Sequence, residues 1–306
     1  MLVSLKKILD KADKHGYAVP AFNINNMEIV QAVIWGAVKM KSPVIIQTSE
    51  GAIKYAGMDY LKAMVDIAAK APVPVVFHLD HGKDLNVIKK AIDSGYTSVM
   101  IDASTLPYKQ NVAKTKKVVE WAHAKGISVE AELGAIEGVE DLVKVSERQE
   151  VFTDPKKAKK FVKETRCDAL AISIGTAHGA HKFKGKPKLD FKRLKEIDKV
   201  VTVPLVLHGA SQVPRKYVAL ANRNGAKLKK TVGVSDALLK KAIKRGIRKV
   251  NTDTDLRLAF NAAVRQTVKK DRKIFDPRKI LGPAREEMQK VVEHRIQVCG
   301  CKNRAC

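Results

Sequence analysis

Histidine and carboxylate side chains follow several short apolar runs in this chain. The segment VVFHLDHG, at 75–82, leads an apolar run into Asp80 and His81, and His178 and His208 follow two later runs. Three neutral imidazoles with one coordination position left open are the ligand set expected of a catalytic Zn²⁺. A lone histidine is more often a hydrogen-bonded or exposed residue, but the same placement three times favours one shared metal site. Asp80 adjoins a proposed ligand without being needed as one, which suits a general base.

Two further carboxylates, Asp102 and Glu132, follow the next apolar runs. Either could bind a second cation, orient a ligand imidazole or make structural hydrogen bonds, and we favour the first two roles. His78 shares a strand face with Asp80, whereas His81 points the other way until the strand ends. We therefore expect His78 to fill the interior of the fold and to support the site without binding the metal.

Small and polar residues at the ends of the last two apolar runs indicate an anion site. The segments LHGAS, at 207–211, and NTDT, at 251–254, supply backbone N–H groups, hydroxyls and an amide, and Gly209 lets the backbone approach a ligand. Lys182 and Arg257 could add positive charge, although each alone would usually be a surface charge. Together these residues predict a phosphate site beside the metal.

Eight apolar, β-branched runs recur along the chain, and a polar loop and a helical pattern follow each of them. The runs lie at 18–24, 43–49, 73–81, 98–104, 128–134, 169–175, 204–211 and 248–255. Eight such units in 306 residues predict an α/β fold, a (β/α)8 TIM barrel with extra N-terminal and C-terminal helices. A doubly wound sheet would usually carry a glycine-rich loop after its first strand, and none follows Ile24. The carboxyl ends of barrel strands share one face, which would bring the histidines and carboxylates together.

The chain contains no linker that would divide it, so we expect one barrel domain over 1–306. The polar stretch 135–153 is expected to be a mobile lid, and 298–306, with three of the four cysteines, a flexible tail. The cysteine spacing fits neither a disulfide framework nor a usual zinc site, which favours a reducing cytoplasm. The polar start does not resemble a signal peptide, and no apolar run is long enough to cross a membrane.

The formal net charge of +26 is the one unusual value in the composition. Such a charge favours an anionic partner, which could be nucleic acid, a membrane surface or a phosphorylated substrate. The lysines are spread in pairs over many helical segments, and no basic block is interleaved with aromatic residues. Nucleic acid is therefore not expected as the main partner, and a polyanion-binding protein remains the alternative from a different functional class.

Four motifs give the chain a family resemblance. LDHG, GTAHG, LHGAS and KVNTDTDLR, in this order and spacing, resemble the class II metal-dependent fructose-bisphosphate aldolases, in the compact subgroup shared with tagatose-bisphosphate aldolases. Similarity in YAVPAFNINN, EAELGAIEGVED, FTDP and DPRKILGPAREEM extends the resemblance over nearly the whole chain. It implies that His81, His178 and His208 bind the catalytic Zn²⁺ and that Asp80 transfers the proton.

The resemblance also implies sites for the rest of the substrate and for further ions. Ser49 matches a contact to the aldehyde-phosphate half, and Asp102 and Glu132 match residues that bind a second divalent cation in some members. Residues matching the cradle of the ketone-phosphate half are Gly179, Gly209, Ala210, Ser211, Asn251, Thr252, Asp253 and Thr254. Asn23, Lys182 and Arg257 complete the predicted substrate-binding set. A monovalent cation, Na⁺ or K⁺, near the ketone phosphate and assembly as a homodimer or homotetramer are further expectations.

The implied reaction is the reversible cleavage of D-fructose 1,6-bisphosphate to dihydroxyacetone phosphate and D-glyceraldehyde 3-phosphate, a step of glycolysis and gluconeogenesis. Asp253 stands where fructose-bisphosphate members tend to carry aspartate and tagatose-bisphosphate members a small residue, so fructose is favoured and tagatose is the alternative. A Schiff-base aldolase would need a buried lysine at the end of a strand. None of the eight predicted strands ends in lysine; Lys249 begins the eighth.

Overall fold

The computed structural model describes residues 1–140, 143–145, 152–178, 187–229 and 232–305, with 137–140, 143–145 and 178 described by their backbone alone. Within these ranges the strands are β1 (Val19–Asn23), β2 (Val44–Ser49), β3 (Val75–Gly82), β4 (Ser98–Ile101), β5 (Ser128–Leu133), β6 (Glu137–Glu140), β7 (Val143–Val145), β8 (Ala169–Ile172), β9 (Ala177–His178), β10 (Leu205–Leu207) and β11 (Ile247–Thr252). The helices are α1 (Leu5–His15), α2 (Met27–Lys39), α3 (Glu50–Ala56), α4 (Met58–Ala68), α5 (Leu85–Asp93), α6 (Tyr108–His123), α7 (Pro155–Thr165), α8 (Phe191–Asp198), α9 (Arg215–Arg223), α10 (Asp236–Ile243), α11 (Thr254–Lys270) and α12 (Pro277–Cys299).

Eight parallel strands close into a barrel in the order β1-β11-β10-β8-β5-β4-β3-β2. The predicted (β/α)8 TIM barrel is confirmed, and each predicted strand overlaps one strand of the barrel. Helices cover the outside and side chains fill the inside, so strands such as β3 are buried along their whole length. The register places Ser49 beside Asp80 and Ala21 beside Asn251, which aligns the carboxyl ends of neighbouring strands.

A second, smaller sheet has the order β7-β6-β9. Its strands follow β5 and β8, which are neighbours in the barrel, and Gly138 pairs with His178 in the parallel register of β6 and β9. This pairing fixes the backbone at His178 over the carboxyl face. The other residues of the expected lid, 141–142 and 146–151, lie outside the described residues.

Side-chain caps set where several helices begin. The carboxylate of Asp154 accepts the N–H of Lys157, and Pro155 occupies the first helical position of α7. Ser49 has a double position, because it ends β2 and its hydroxyl accepts the N–H of Ala52 to cap α3. The cap thus fixes a predicted substrate-binding side chain at the junction of strand and helix.

The extra terminal helices are present. α1 packs against β1, β5 and β11, and the N–H of Val3 donates to the oxygen of Val75 at the start of β3, so this helix lies at the amino end of the barrel. α12 packs on α2 and α11. Among the described helices, none combines the length and apolarity needed to cross a lipid bilayer.

The expectation of a flexible tail over 298–306 is wrong for its described part. Cys301 is fully buried, and its sulfur accepts a hydrogen bond from the hydroxyl of Ser42 (Oγ to Sγ, 3.1 Å). The N–H of Ala305 donates to the oxygen of Lys41 at 2.9 Å. A free thiol packs as a small apolar side chain, and here it anchors the segment against the end of α2.

Candidate active site at the carboxyl end of the barrel

Asp80 is held at the end of β3 by amide side chains from three other strands. Its Oδ2 accepts from Nδ2 of Asn23 at 2.8 Å and from Nε2 of Gln47 at 2.9 Å, and its Oδ1 accepts from Nδ2 of Asn251 at 3.1 Å. These amide groups act only as donors toward it, so the carboxylate is fixed in one orientation as an acceptor. Asp80 is buried, and it lies at the carboxyl end of β3.

Two of these three partners make contacts that the sequence did not predict. Gln47 was missed because it lies inside the run VIIQTS, and the sequence does not show which residue a buried polar side chain contacts. Asn251 was assigned to the phosphate cradle, whereas its amide nitrogen contacts Asp80. Its Oδ1 is buried and has no hydrogen-bond partner among the described residues, so an acceptor remains for a substrate hydroxyl.

His81 turns into the site through an unusual backbone conformation. Its φ of 49° lies in the left-handed region, which a residue other than glycine rarely adopts and which strand geometry does not provide. Its Nδ1 donates to Oδ2 of Asp102 at 2.9 Å, and Asp102 also accepts from Oγ of Ser104 at 2.8 Å. Burial opposes ionisation of Asp102, but the bonds from His81 and Ser104 hold its pKa well below the usual range. The hydrogen bond at Nδ1 leaves Nε2 of the neutral ring as an acceptor.

His208 presents a second nitrogen at the same point. Its Nε2 donates to Oε1 of Glu130 at 2.9 Å, so Nδ1 of the neutral ring carries a lone pair. That Nδ1 lies 2.8 Å from Nε2 of His81. Two lone pairs at this distance repel each other unless a proton or a cation lies with them. Burial lowers the pKa of His81, but nearby carboxylates, chiefly Asp80, raise it to about 10, so the site strongly favours positive charge.

Glu132 adds an unsatisfied carboxylate oxygen to this group. Its Oε2 is buried, has no hydrogen-bond partner among the described residues and lies 3.6 Å from Nδ1 of His208. Burial, followed by the charge of Asp102, raises the pKa of Glu132 well above its ordinary value. Ligand atoms of Asp80, His81 and His208 lie within 4.8 Å of one another, as do those of His81, Asp102 and Glu132. The donor set therefore fits a divalent cation, with nitrogen ligands typical of Zn²⁺.

A buried charged layer lies beneath these candidate ligands. Oε2 of Glu130 is 2.9 Å from Nζ of Lys249, and both side chains are completely buried. His78 lies beside them, with Nε2 3.6 Å from Oε2 of Glu130 and Nδ1 2.9 Å from Oγ of Ser98. Burial and the charge of Lys249 hold the pKa of His78 well below normal, so the ring is neutral. The expectation that His78 fills the interior is confirmed, whereas Glu130 and Lys249 were missed as parts of the site.

The loop after β10 makes a close approach that requires glycine. Gly209 has a φ of 60°, and a Cβ there would lie 2.6 Å from the carbonyl oxygen of Ala177. Ala210 and Ser211 follow it as buried residues. Oγ of Ser211 accepts the N–H of Asp253 at 3.4 Å, which joins the ends of β10 and β11. The two predicted cradle segments are therefore neighbours in space.

Asp253 and Arg257 form a two-point ion pair at the start of α11. Nε of Arg257 lies 2.8 Å from Oδ1 of Asp253, and its second contact, from Nη2 to Oδ2, is also 2.8 Å. Arg257 lines a cavity of about 470 Å³ together with Asn26 and Tyr55, next to the helix that Ser49 caps. Thr252 and Thr254, on either side of Asp253, are buried.

The family model for fructose-bisphosphate aldolase class II matches residues 3–304. This chain belongs to the class II fructose-bisphosphate aldolases. It is 50% identical to the fructose-bisphosphate aldolase of Thermus caldophilus over 305 residues, which cover 100% of both chains. It is 47% identical to that of Helicobacter pylori strain J99 over 306 residues, covering 99% of this chain and 100% of the relative. The crystal structure of an aldolase from Escherichia coli K12 superposes with a TM-score of 0.80 at 31% identity, covering 100% of both chains.

The family resemblance inferred from the four motifs of this class II aldolase is confirmed. The enzymes of this family are lyases. The structure brings His81 and His208 together, with Asp80 beside them. His178 lies in β9 on the same face, but its side chain is outside the described atoms. Gly179 and Lys182 also lie outside the described residues, so their predicted roles stay predictions.

Replacing Gly209 of this aldolase with alanine is expected to destabilise the protein. Gly16 provides a matched control, because it also has a positive φ, of 70°, but nothing lies within 4 Å of its added Cβ. Gly16→Ala should lower the free energy of unfolding by about 1–2 kcal/mol, the cost of a left-handed alanine. Gly209→Ala should cost more, because its Cβ also meets the backbone of Ala177. Chemical denaturation of both variants measures the difference, and equal losses would contradict the close approach.

Proposed function

We propose that this class II aldolase reversibly cleaves D-fructose 1,6-bisphosphate to dihydroxyacetone phosphate and D-glyceraldehyde 3-phosphate, as in glycolysis and gluconeogenesis. The observation that carries the proposal is the facing pair of imidazole nitrogens, Nε2 of His81 and Nδ1 of His208, 2.8 Å apart beside the immobilised carboxylate of Asp80. A nitrogen pair that favours positive charge, next to a fixed proton acceptor, suits cleavage of a β-hydroxy ketone.

Zn²⁺ is the ion we assign to His81, His178 and His208. When bound, it supplies Lewis acidity that stabilises the negative charge developing on the ketone oxygen as the carbon–carbon bond breaks. The protein aims the two described rings by their outer hydrogen bonds, since Asp102 fixes the tautomer of His81 and Glu130 that of His208. The free Oε2 of Glu132 supports a second divalent cation shared with Asp102.

Asp80 is the group that moves the proton. In cleavage it removes the proton of the C4 hydroxyl as the aldehyde forms, and in condensation it returns the proton to the new alkoxide. Its three amide donors hold the carboxylate still through both directions, so that a correctly oriented oxygen meets the hydroxyl without rearrangement.

The two phosphate groups would bind on opposite sides of the metal. Backbone N–H groups of Gly209 to Ser211 and the start of α11 from Asp253 to Thr254 suit the ketone phosphate, together with Gly179, because glycine-containing loops and helix starts present donors to anions. Ser49, Lys182 and Arg257 suit the aldehyde phosphate. The cavity of about 470 Å³ that Arg257 lines supports this second position. A monovalent cation, Na⁺ or K⁺, would bind among backbone oxygens near the ketone phosphate.

Asp253 favours fructose over tagatose as the substrate sugar. Its carboxylate is almost completely buried and is held by Arg257 in a fixed direction. A fixed acceptor distinguishes two hydroxyl configurations far better than an apolar surface does, because only the correct isomer directs its hydroxyl at a remaining lone pair of the carboxylate.

Assembly as a homodimer or homotetramer accompanies the proposal. Tyr55 and Tyr60, on α3 and α4, are 81% and 77% exposed, and Ile67 is 68% exposed on α4, which supports a protein contact on this face. We place the protein in the cytoplasm, because Cys167, Cys299 and Cys301 are free thiols, the state expected in a reducing compartment.

The test compares cleavage of fructose 1,6-bisphosphate and tagatose 1,6-bisphosphate by zinc-loaded protein, before and after treatment with a chelator. We expect a preference for the fructose ester, loss of turnover with the metal and recovery on adding Zn²⁺. Turnover that persists in protein shown to be free of metal would contradict the zinc assignment. A preference for the tagatose ester would leave the family unchanged and reject the proposed sugar.

A further inference from the structure

The loop after β10 is held from outside the barrel by a buried ion pair. Asp255 lies in the first turn of α11 and Arg295 near the end of α12, and each is only 1% exposed. Nη2 of Arg295 donates to Oδ2 of Asp255 at 2.6 Å. The pair lies outside the described metal group and does not contact Asp80.

The carboxylate of Asp255 also accepts two backbone N–H groups of this loop. Oδ2 accepts from Gln212 at 3.0 Å, and Oδ1 accepts from Val213 at 2.8 Å. Val213 has a φ of 55°, which is strained for a β-branched residue and persists only where surrounding contacts enforce it. The bond to Asp255 is such a contact, and it acts two residues beyond Ser211.

The opposite side of the same loop is also fixed. The N–H of Gly233 donates to the oxygen of Gln212 at 3.2 Å, and the N–H of Val234 donates to the oxygen of Ser211 at 3.1 Å. A Cβ at Gly233 would collide with that oxygen of Ser211. The loop is therefore clamped between a backbone segment and the carboxylate of Asp255.

We propose that Asp255 and Arg295 are positioning residues for the ketone-phosphate cradle, acting through the N–H groups of Gln212 and Val213. This inference rests on the proposed function, because Gly209 to Ser211 form a cradle only if the substrate phosphate binds there. Backbone N–H groups bind a phosphate tightly only when they already point toward its binding position, because reorganisation of the loop on binding weakens affinity. Arg295 holds the carboxylate of Asp255 in place, and Asp255 keeps the strained loop from relaxing.

A purely structural role makes a different prediction. Asp255 lies in the first turn of α11, where an acidic residue stabilises a helix through its dipole. If that were its only role, loss of the pair would lower stability and affect both halves of the substrate alike. The positioning role instead predicts a selective effect on the half whose phosphate meets the loop.

The experiment measures condensation kinetics of the zinc-loaded Arg295→Met protein, which keeps the apolar stem and loses the charge. We expect the KM for dihydroxyacetone phosphate to rise about tenfold, with the KM for glyceraldehyde 3-phosphate unchanged. Asp255→Asn should also raise the KM for dihydroxyacetone phosphate. This second variant keeps the test valid if one of the two proteins fails to fold. Arg285→Met is the matched control on the same helix, because Arg285 contacts Gln31 and Trp35, and it should change neither constant.

Chemical rescue provides a second readout. Arg295 and Asp255 line a cavity of about 540 Å³, and Nε and Nη1 of Arg295 have no hydrogen-bond partner among the described residues. Arg295 thus contributes one hydrogen bond, from Nη2 to Asp255, and a positive charge. An added guanidinium ion can supply both. Guanidinium added to Arg295→Ala should restore the KM for dihydroxyacetone phosphate, whereas sodium chloride at equal ionic strength should not.

Isothermal titration of inorganic phosphate into each zinc-loaded protein distinguishes a failure of the positioning role from a failure of the proposed function. Weaker phosphate binding by Arg295→Met supports the positioning role even if the wild type cleaves neither sugar ester. A wild type that is active, with a variant whose KM and phosphate affinity are unchanged, overturns the positioning role alone. Equal changes in both KM values, with a lower unfolding midpoint, also overturn it. A wild type that neither turns over nor binds phosphate rejects the proposed function and the cradle together.

Discussion

Replacing Asp80 with asparagine is expected to lower kcat for cleavage by roughly 10²–10⁴-fold, the usual contribution of a general base. The substitution preserves volume, and an amide cannot take a proton from the C4 hydroxyl. The amides of Asn23, Gln47 and Asn251 would then face a side chain that is itself half donor, so the fixed orientation would also be lost. The proposed metal ligands are unchanged, so zinc content should stay at the wild-type value.

The measurement combines kcat with the zinc content of each purified protein. Asp84→Asn is a matched control, because Asp84 follows the same strand but only caps α5 through the N–H of Asn86. It should retain wild-type turnover. Asn23→Ala removes one of the three donors and should give a smaller loss than Asp80→Asn. Wild-type turnover by Asp80→Asn would refute the assignment, and a loss of activity that followed a loss of zinc would place Asp80 among the ligands instead.

The barrel and the location of its site could be predicted because parallel strands of a TIM barrel are buried on both faces. Such strands read as continuous apolar runs, and the polar residues that end the runs mark the carboxyl face. His81, Asp80 and His208 were found in this way. The chemical types of these residues, without any distance, indicate a metal and a base.

The supporting residues could not be predicted, because their partners are distant in sequence and their positions lie within the runs. Glu130 and Lys249 are 119 residues apart and meet only when β5 and β11 face each other across the barrel. Gln47 lies between Ile46 and Thr48, and the sequence does not tell which face of a doubly buried strand looks inward. The strained conformation of Val213 leaves no signal in residue type, since valine is an unfavourable choice there.

The glutamate beneath the proposed metal ligands is expected to have two separable roles. Replacing Glu130 with glutamine should weaken zinc binding by about 10–100-fold, the usual effect of removing a partner that orients a ligand histidine. The same change removes the buried counter-ion of Lys249 in the barrel interior, which should lower the free energy of unfolding by about 3–5 kcal/mol. Competition with a chromophoric chelator measures the first effect, and chemical denaturation of the metal-free protein measures the second.

A double-variant cycle with Lys249→Met separates these roles. Lys249→Met alone should destabilise the protein, because it leaves the carboxylate of Glu130 without its cation, but it keeps the acceptor for Nε2 of His208. The double variant removes both charges and should be more stable than either single variant, because no unpaired charge remains buried. Its zinc affinity should nevertheless stay as low as that of Glu130→Gln, because a neutral amide does not make His208 more basic. Zinc affinity that recovered together with stability would instead mean that Glu130 supports the metal only by keeping the barrel folded.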